Sequence, residues 1–138
     1  MLSSYVIYCV LTSKILVSIL VRSNNMPHCI VEYAKDLETQ IDLNELMTTT
    51  HFSIFSSGIF EEEDIKTRLI PYEIYRTGTT EKPFVHVTLR ILPGRSEQQK
   101  DMLSEVLLHH IAAMFNFDIA ISVEIEDINQ QSYRKYVV

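Results

Sequence analysis

Residues 84 to 125 constrain the fold of this chain more than any other stretch. Val85, Val87, Leu89 and Ile91 alternate with His86, Thr88 and Arg90, the period-two pattern of a half-buried strand. Pro93-Gly94 turns the chain, and Ser96 with Gln99 forms a capping box. The helix that follows has a buried stripe of Leu103, Val106, Leu107, His110 and Met114. A second alternation then sets Ile119, Ile121, Val123 and Ile125 against Ala120, Ser122, Glu124 and Glu126. Two strands joined through a helix run parallel, with a right-handed crossover.

The same scheme occurs upstream. Residues 28 to 33 are rich in Ile and Val and read as a strand. Asp42 with Glu45 fits a capping box, and Leu43, Leu46, Met47, Thr50 and Ile54 recur at helical spacing until Gly58 ends the helix. Thr48, Thr49 and Thr50 are poor helix formers, so packing holds the middle of this helix. Residues 65 to 75 form a second extended segment, and Pro71 puts its far half at an edge or bulge. The expected fold is α/β (α+β): two tandem β-α-β units forming one sheet with two helices on one face. The opposite face is left open and in part apolar, which predicts a homo-oligomer.

Composition excludes several functions. Apolar residues make up 46% of the 138 and charged ones 22%, the balance of an ordinary globular domain. The net charge of −6 and the lack of a basic run argue against a nucleic-acid partner. Cys9 and Cys29 form neither a disulfide framework nor a CxxC pair, which suits a reducing cytoplasm.

Residues 1–26 differ in kind from the rest. They hold Lys14 and Arg22 and no acid, which leaves 10 basic against 18 acidic side chains, a net of −8, in residues 27–138. No basic residue precedes the apolar run from Tyr5, and Asn24-Asn25-Met26 is no signal-peptidase site. Lys14 in the middle of the run argues against a membrane span, while the many β-branched residues suit an added strand. Residues 1–26 are therefore read as an apolar extension outside the mature enzyme, and residues 27–138 as the working domain, with Met26 as its start.

Few residues are placed for chemistry. There is no Gly-rich phosphate loop, HExxH or GxSxG motif, and no His or Cys cluster with ligand spacing, so no metal site is expected. His109 and His110 are adjacent on a helix, about 100° apart, and cannot share one metal; one packed and one exposed histidine is the expectation. Glu61, Glu62, Glu63 and Asp64 read as a solvated loop, and Cys29 as core. Pro27 remains. Inside a chain its nitrogen is an amide; at an N-terminus it is a secondary amine that takes and gives a proton. Burial and the cations Lys66, Arg68 and Arg95 at strand ends or turns would lower its pKa toward neutrality, where a general base works best. Arginines also pair with carboxylates and stabilise enolate charge.

MPHCIVEYA at 26–34, SSGIF at 56–60, IKTR at 65–68, FVHVTLRILPGRS at 84–96 and VEIEDI at 123–128 resemble the tautomerase superfamily, and within it the 5-carboxymethyl-2-hydroxymuconate Δ-isomerases. The resemblance implies a homotrimer, no cofactor, and a dicarboxylate or tricarboxylate substrate of aromatic catabolism. The reaction it implies converts a dienol acid to its conjugated keto isomer, with an exposed N-terminal proline as base. It assigns that role to Pro27, carboxylate or carbonyl binding to Arg95, and substrate binding to Lys66 and Arg68. Lys66 departs from relatives with arginine there and makes no bidentate contact. The rival reading is a non-catalytic trimeric scaffold or binding module with an internal, inert Pro27, tethered to a membrane by residues 5–21. A promiscuous tautomerase acting on phenylpyruvate-like enols would use the same pocket chemistry.

Overall fold

The computed structural model describes residues 5–12, 15–22 and 26–138. Strands β1 (Tyr5–Thr12) and β2 (Ile15–Arg22) pair antiparallel in a sheet of their own, so the β-branched residues of the extension form two strands. Lys14 and the Asn24-Asn25 pair, on which the leader and membrane arguments turn, lie outside the described residues. Among the described residues no helix is long and apolar enough to cross a membrane.

The rest of the chain is the expected tandem repeat. β3 (His28–Ala34), α1 (Leu43–Ser56) and β4 (Lys66–Tyr72) form the first unit; β5 (Phe84–Ile91), α2 (Glu97–Ala112) and β6 (Ala120–Asp127) form the second. The strands lie in the order β4-β3-β5-β6, parallel within each unit and antiparallel where β3 meets β5. β4 is an edge strand, which is where Pro71 can sit without removing a ladder bond.

Local signals set the helix ends, with one difference. Ser96 and Gln99 make the full reciprocal capping box. Asp42 caps α1 by accepting from the Asn44 N–H at 2.8 Å, without the reciprocal bond from Glu45. Gly58, at φ 75°, ends α1 in a conformation that side chains with a Cβ avoid.

Cys29, Val31 and Tyr33 of β3 and Val85, Val87, Leu89 and Ile91 of β5 turn inward against Leu46 and Ile54 of α1 and Leu103, Leu107 and Ile111 of α2. In α2 the buried stripe runs through Ile111, whereas His110 is exposed and Val106 and Met114 are half-buried. His109 is exposed as well, so neither histidine of the pair is packed; the helix rotates its apolar 103, 107 and 111 positions onto the sheet instead.

The open face of the sheet is mainly polar. Tyr72 donates to Glu32 at 2.5 Å, His86 meets Ser122 at 2.7 Å, and Arg90 pairs with Glu126 at 2.9 Å. Its apolar part narrows to Ile30 of β3, the half-exposed Ile70 and Tyr72 of the β4 edge, and Phe84 of β5 with its register partner Ala120 of β6.

Candidate active site

Pro27 enters β3 at the end of the sheet where β3 and β4 begin and β5 and β6 finish. It is buried, as is Met26 before it. Its carbonyl accepts the Lys66 N–H at 3.0 Å, which extends the β3–β4 ladder by one bond and fixes the ring at the sheet edge. Proline has no N–H to leave unpaired in that buried position. With Met26 attached its nitrogen is a tertiary amide and carries no proton.

Lys66 and Arg68 are two residues apart on β4, so both stand on the open face, and both are exposed. They gather around His28, the residue after Pro27. His28 lies opposite Lys66 on one side and Arg90 on the other. Arg68 Nη1 is 3.3 Å from His28 Nδ1, and His28 Nε2 is 3.1 Å from the Tyr133 hydroxyl. Burial first, and then the charges of Arg68, Lys66 and Arg90, hold the imidazole below its ordinary 6.5, so the neutral ring is favoured.

Arg95 belongs to a different wall. It follows Gly94, whose φ of 119° makes the turn out of β5, and its side chain runs toward the loop between α1 and β4. Nη2 donates to the Ile59 carbonyl at 3.3 Å, and the guanidinium stands 5.5 Å from the centre of the Phe60 ring. Its Nε is buried without a partner among the described residues, an unmet donor at the same end of the sheet as Pro27. The four candidates thus collect at one sheet end, in two groups: Lys66 and Arg68 on the open face beside Pro27, and Arg95 on the helical side.

Several partners escaped the sequence. Tyr133 and Lys135 come from the segment after β6; Lys135 pairs with Asp64 at 3.2 Å, so this segment lies across the start of β4. Asp64 is therefore tied down, while Glu61, Glu62 and Glu63 remain solvated as expected. The contacts join residues 105 and 71 positions apart and leave no local periodic trace. His28 had a signal, its place directly after Pro27. Cys29 is buried as expected, and burial pushes its thiol up to about 12, which makes it inert.

Away from this site, a concavity of about 460 Å³ lies on the seam between the helices. Phe52, His109, His110 and Met114 line it, and Ser53 there donates to the Thr49 carbonyl at 2.6 Å and meets His110 Nδ1 at 2.8 Å. None of the four candidate residues borders it.

Comparison with known proteins agrees with this architecture. A family model for 5-carboxymethyl-2-hydroxymuconate isomerase matches residues 27–137. The chain is 31% identical over 111 residues to the 5-carboxymethyl-2-hydroxymuconate Delta-isomerase of Escherichia coli, over 75% of this chain and 88% of that protein. A 5-carboxymethyl-2-hydroxymuconate isomerase of Deinococcus radiodurans R1 superposes with a TM-score of 0.66 at 28% identity, over 81% of this chain and 90% of that one. A crystal structure of a 5-carboxymethyl-2-hydroxymuconate delta-isomerase superposes with a TM-score of 0.73 at 15% identity, over 81% and 89% of the two chains, a likeness of fold.

Proposed function

The chain belongs to the 5-carboxymethyl-2-hydroxymuconate isomerase family, and on that premise we propose that it ketonises a 2-hydroxymuconate-type dienol acid with Pro27 as the proton carrier. The substrate class is 5-carboxymethyl-2-hydroxymuconate, as in the name of the Escherichia coli relative. The observation that carries the reading is the position of Pro27: buried at the sheet end, hydrogen-bonded through its carbonyl to Lys66, and one residue from a cluster of cations.

The active form begins at Pro27. Translation from Met26 and removal of that methionine would leave a secondary amine there, and residues 1–26 would take no part. An α-amino group ordinarily titrates near 7.7–8.0, and burial together with Lys66 and Arg68 disfavours its protonated form. The neutral amine removes the proton of the 2-hydroxyl. The oxygen's electron pair closes a carbonyl at C2, the double bonds shift to leave one between C3 and C4, and C5 takes the proton from the prolinium. Proton and electron pair both stay within the substrate and Pro27, so the step needs no cofactor. Lys66 and Arg68 from one side and Arg95 from the other bind carboxylates and the oxygen on which charge develops. The sheet leaves two edges, β4 and β6, for neighbouring copies, which supports a ring-closed homotrimer.

Intact mass of the protein expressed from its own gene, paired with turnover of 5-carboxymethyl-2-hydroxymuconate followed by absorbance, tests the reading. A chain beginning at Pro27 that turns the dienol over is the expected result. A chain that keeps residues 1–26 and is fully active would remove Pro27 from the mechanism, and one that keeps them and is inactive would favour the scaffold reading.

A further inference from the structure

We propose that His28, as a neutral imidazole, is a positioning residue that holds Arg68 in place for an anionic substrate and sets the pH range over which that substrate binds. What Arg68 faces rests on the function proposed above. The contact between His28 and Arg68 does not.

The tautomer follows from the partners. A guanidinium has donors and no acceptor, so His28 Nδ1, 3.3 Å from Arg68 Nη1, must accept. The ring proton then sits on Nε2, which donates to the Tyr133 hydroxyl at 3.1 Å. The two rings meet edge-on, with centroids 6.1 Å apart at 73°. One imidazole therefore links strand β4 to the segment after β6 and is held at both nitrogens. An aliphatic side chain at this place would leave Arg68, which is exposed, free to swing.

The groups facing the ring come from three elements. Lys66 and Arg68 stand on β4, Arg90 on β5, and Tyr133 on the closing segment. Arg90 is already paired with Glu126, and Asp64 with Lys135, and the hydrogen-bond partners of the ring are Arg68 and Tyr133 rather than a carboxylate. A second proton at Nδ1 turns the acceptor into a donor aimed at a donor, and adds a cation among cations. Arg68 then loses its hold. Binding of a carboxylate should weaken as the imidazole protonates, with little change in the proton-transfer step at Pro27.

Two substitutions separate the contacts. His28→Asn keeps an acceptor oxygen where Nδ1 stood, and His28→Gln puts its amide where Nε2 stood. The protein expressed from its own gene is titrated calorimetrically with hexanedioate, an unreactive dicarboxylate, from about pH 8 down to about pH 5, a range that brackets an imidazole held below its ordinary 6.5. KM and kcat for the dienol are measured alongside. His28→Asn should bind hexanedioate within about twofold of the parent at the alkaline end and lose the acid-side weakening that the parent shows. His28→Gln should bind about tenfold more weakly and raise KM by a similar factor, the scale of one hydrogen bond to a charged group, with kcat within about threefold. Equal affinities of the two variants, an acid-side weakening that persists in His28→Asn, or a loss confined to kcat would overturn the proposal. If hexanedioate binding splits as stated but no ketonisation is found, the function above fails and the role of His28 stands. If turnover is normal and both variants are indifferent in binding and KM, only the role of His28 fails.

Discussion

Pro27 and Pro83 hold matching places in the two β-α-β units. Each precedes the first strand of its unit, and each carbonyl accepts an N–H from the start of the second strand: Lys66 to Pro27 and Ala120 to Pro83, both at 3.0 Å. The surroundings differ. After Pro27 comes His28, with Lys66 and Arg68 beside it; after Pro83 comes Phe84, whose ring stands 6.1 Å from that of Tyr72 and 5.4 Å from that of Tyr75. The second strand that faces Pro83 opens with Ala120, Ile121 and Ser122. A proline with an accepting carbonyl at the strand entry thus recurs in both units. Charge is what separates a candidate base from a strand entry: Lys66 and Arg68 stand by Pro27, whereas Lys82, next to Pro83, is paired with Asp118 at 3.4 Å.

The sharpest way to break this comparison is to replace each proline by alanine in a chain that begins at Pro27. Pro27→Ala should cut kcat by about 100- to 1,000-fold, within the range general-base catalysis supplies, because a primary amine replaces the tuned secondary one. Pro83→Ala should keep turnover and cost at most about 1 kcal/mol in stability, by loosening the unfolded chain. Equal kinetic losses would mean that both prolines act only through the fold.

The helices extend the contrast. α2 buries Leu103, Leu107 and Ile111, whereas α1 places Thr50 and Ser53 among its buried residues. Thr50 donates to the Leu46 carbonyl at 2.8 Å, within its own helix, and so satisfies itself without a partner from the sheet. Leu107→Ala should cost about 2–5 kcal/mol in chemical denaturation, and Thr50→Val about 0.5–1.5 kcal/mol, the net worth of one hydrogen bond, since the carbonyl keeps its backbone partner. A large loss for Thr50→Val would show that the hydroxyl orients α1.

Arg95 is where the second unit reaches into the first. If it holds a substrate carboxylate, Arg95→Ala should raise KM by about 10- to 100-fold, with Arg95→Lys recovering only part, because lysine lacks the planar fork. A fall in kcat at constant KM would move Arg95 to the developing enolate. No change in either would leave the site to the first unit alone.

How much of this was legible in the sequence depended on the range of the forces involved. Period-two alternation, the Ser96 capping box and the edge position of Pro71 are local, and each reads correctly. The α2 stripe was misread by one residue near its end: His110 and Ile111 are neighbours, and the apolar one took the core. Pro27, Lys66, Arg68 and Arg95 were nominated as candidates through motif and resemblance. Alternation alone would put Lys66 and Arg68 on one face and says nothing of Arg95 lying on the other side of the sheet. His28 was in view but unassigned, because its partners Arg68 and Tyr133 are brought to it by the sheet and the closing segment.

His28 also makes the last and smallest distinction between the units, since the matching position is Phe84, which carries no proton. Folding lowers the His28 pKa from 6.5, through burial and then the nearby Arg68, Lys66 and Arg90, so between the folded and unfolded values the unfolded chain binds more protons. The contribution of this group is therefore complete above about pH 6.5 and is lost as pH falls through the folded value. Urea midpoints of the parent and His28→Asn, compared from about pH 8 down to about pH 5, should differ by an amount that changes in this window, with the parent losing more on the acid side. A difference that stays constant with pH would mean that the ring is equally able to carry a proton in both states, and that the cations around it are screened by water.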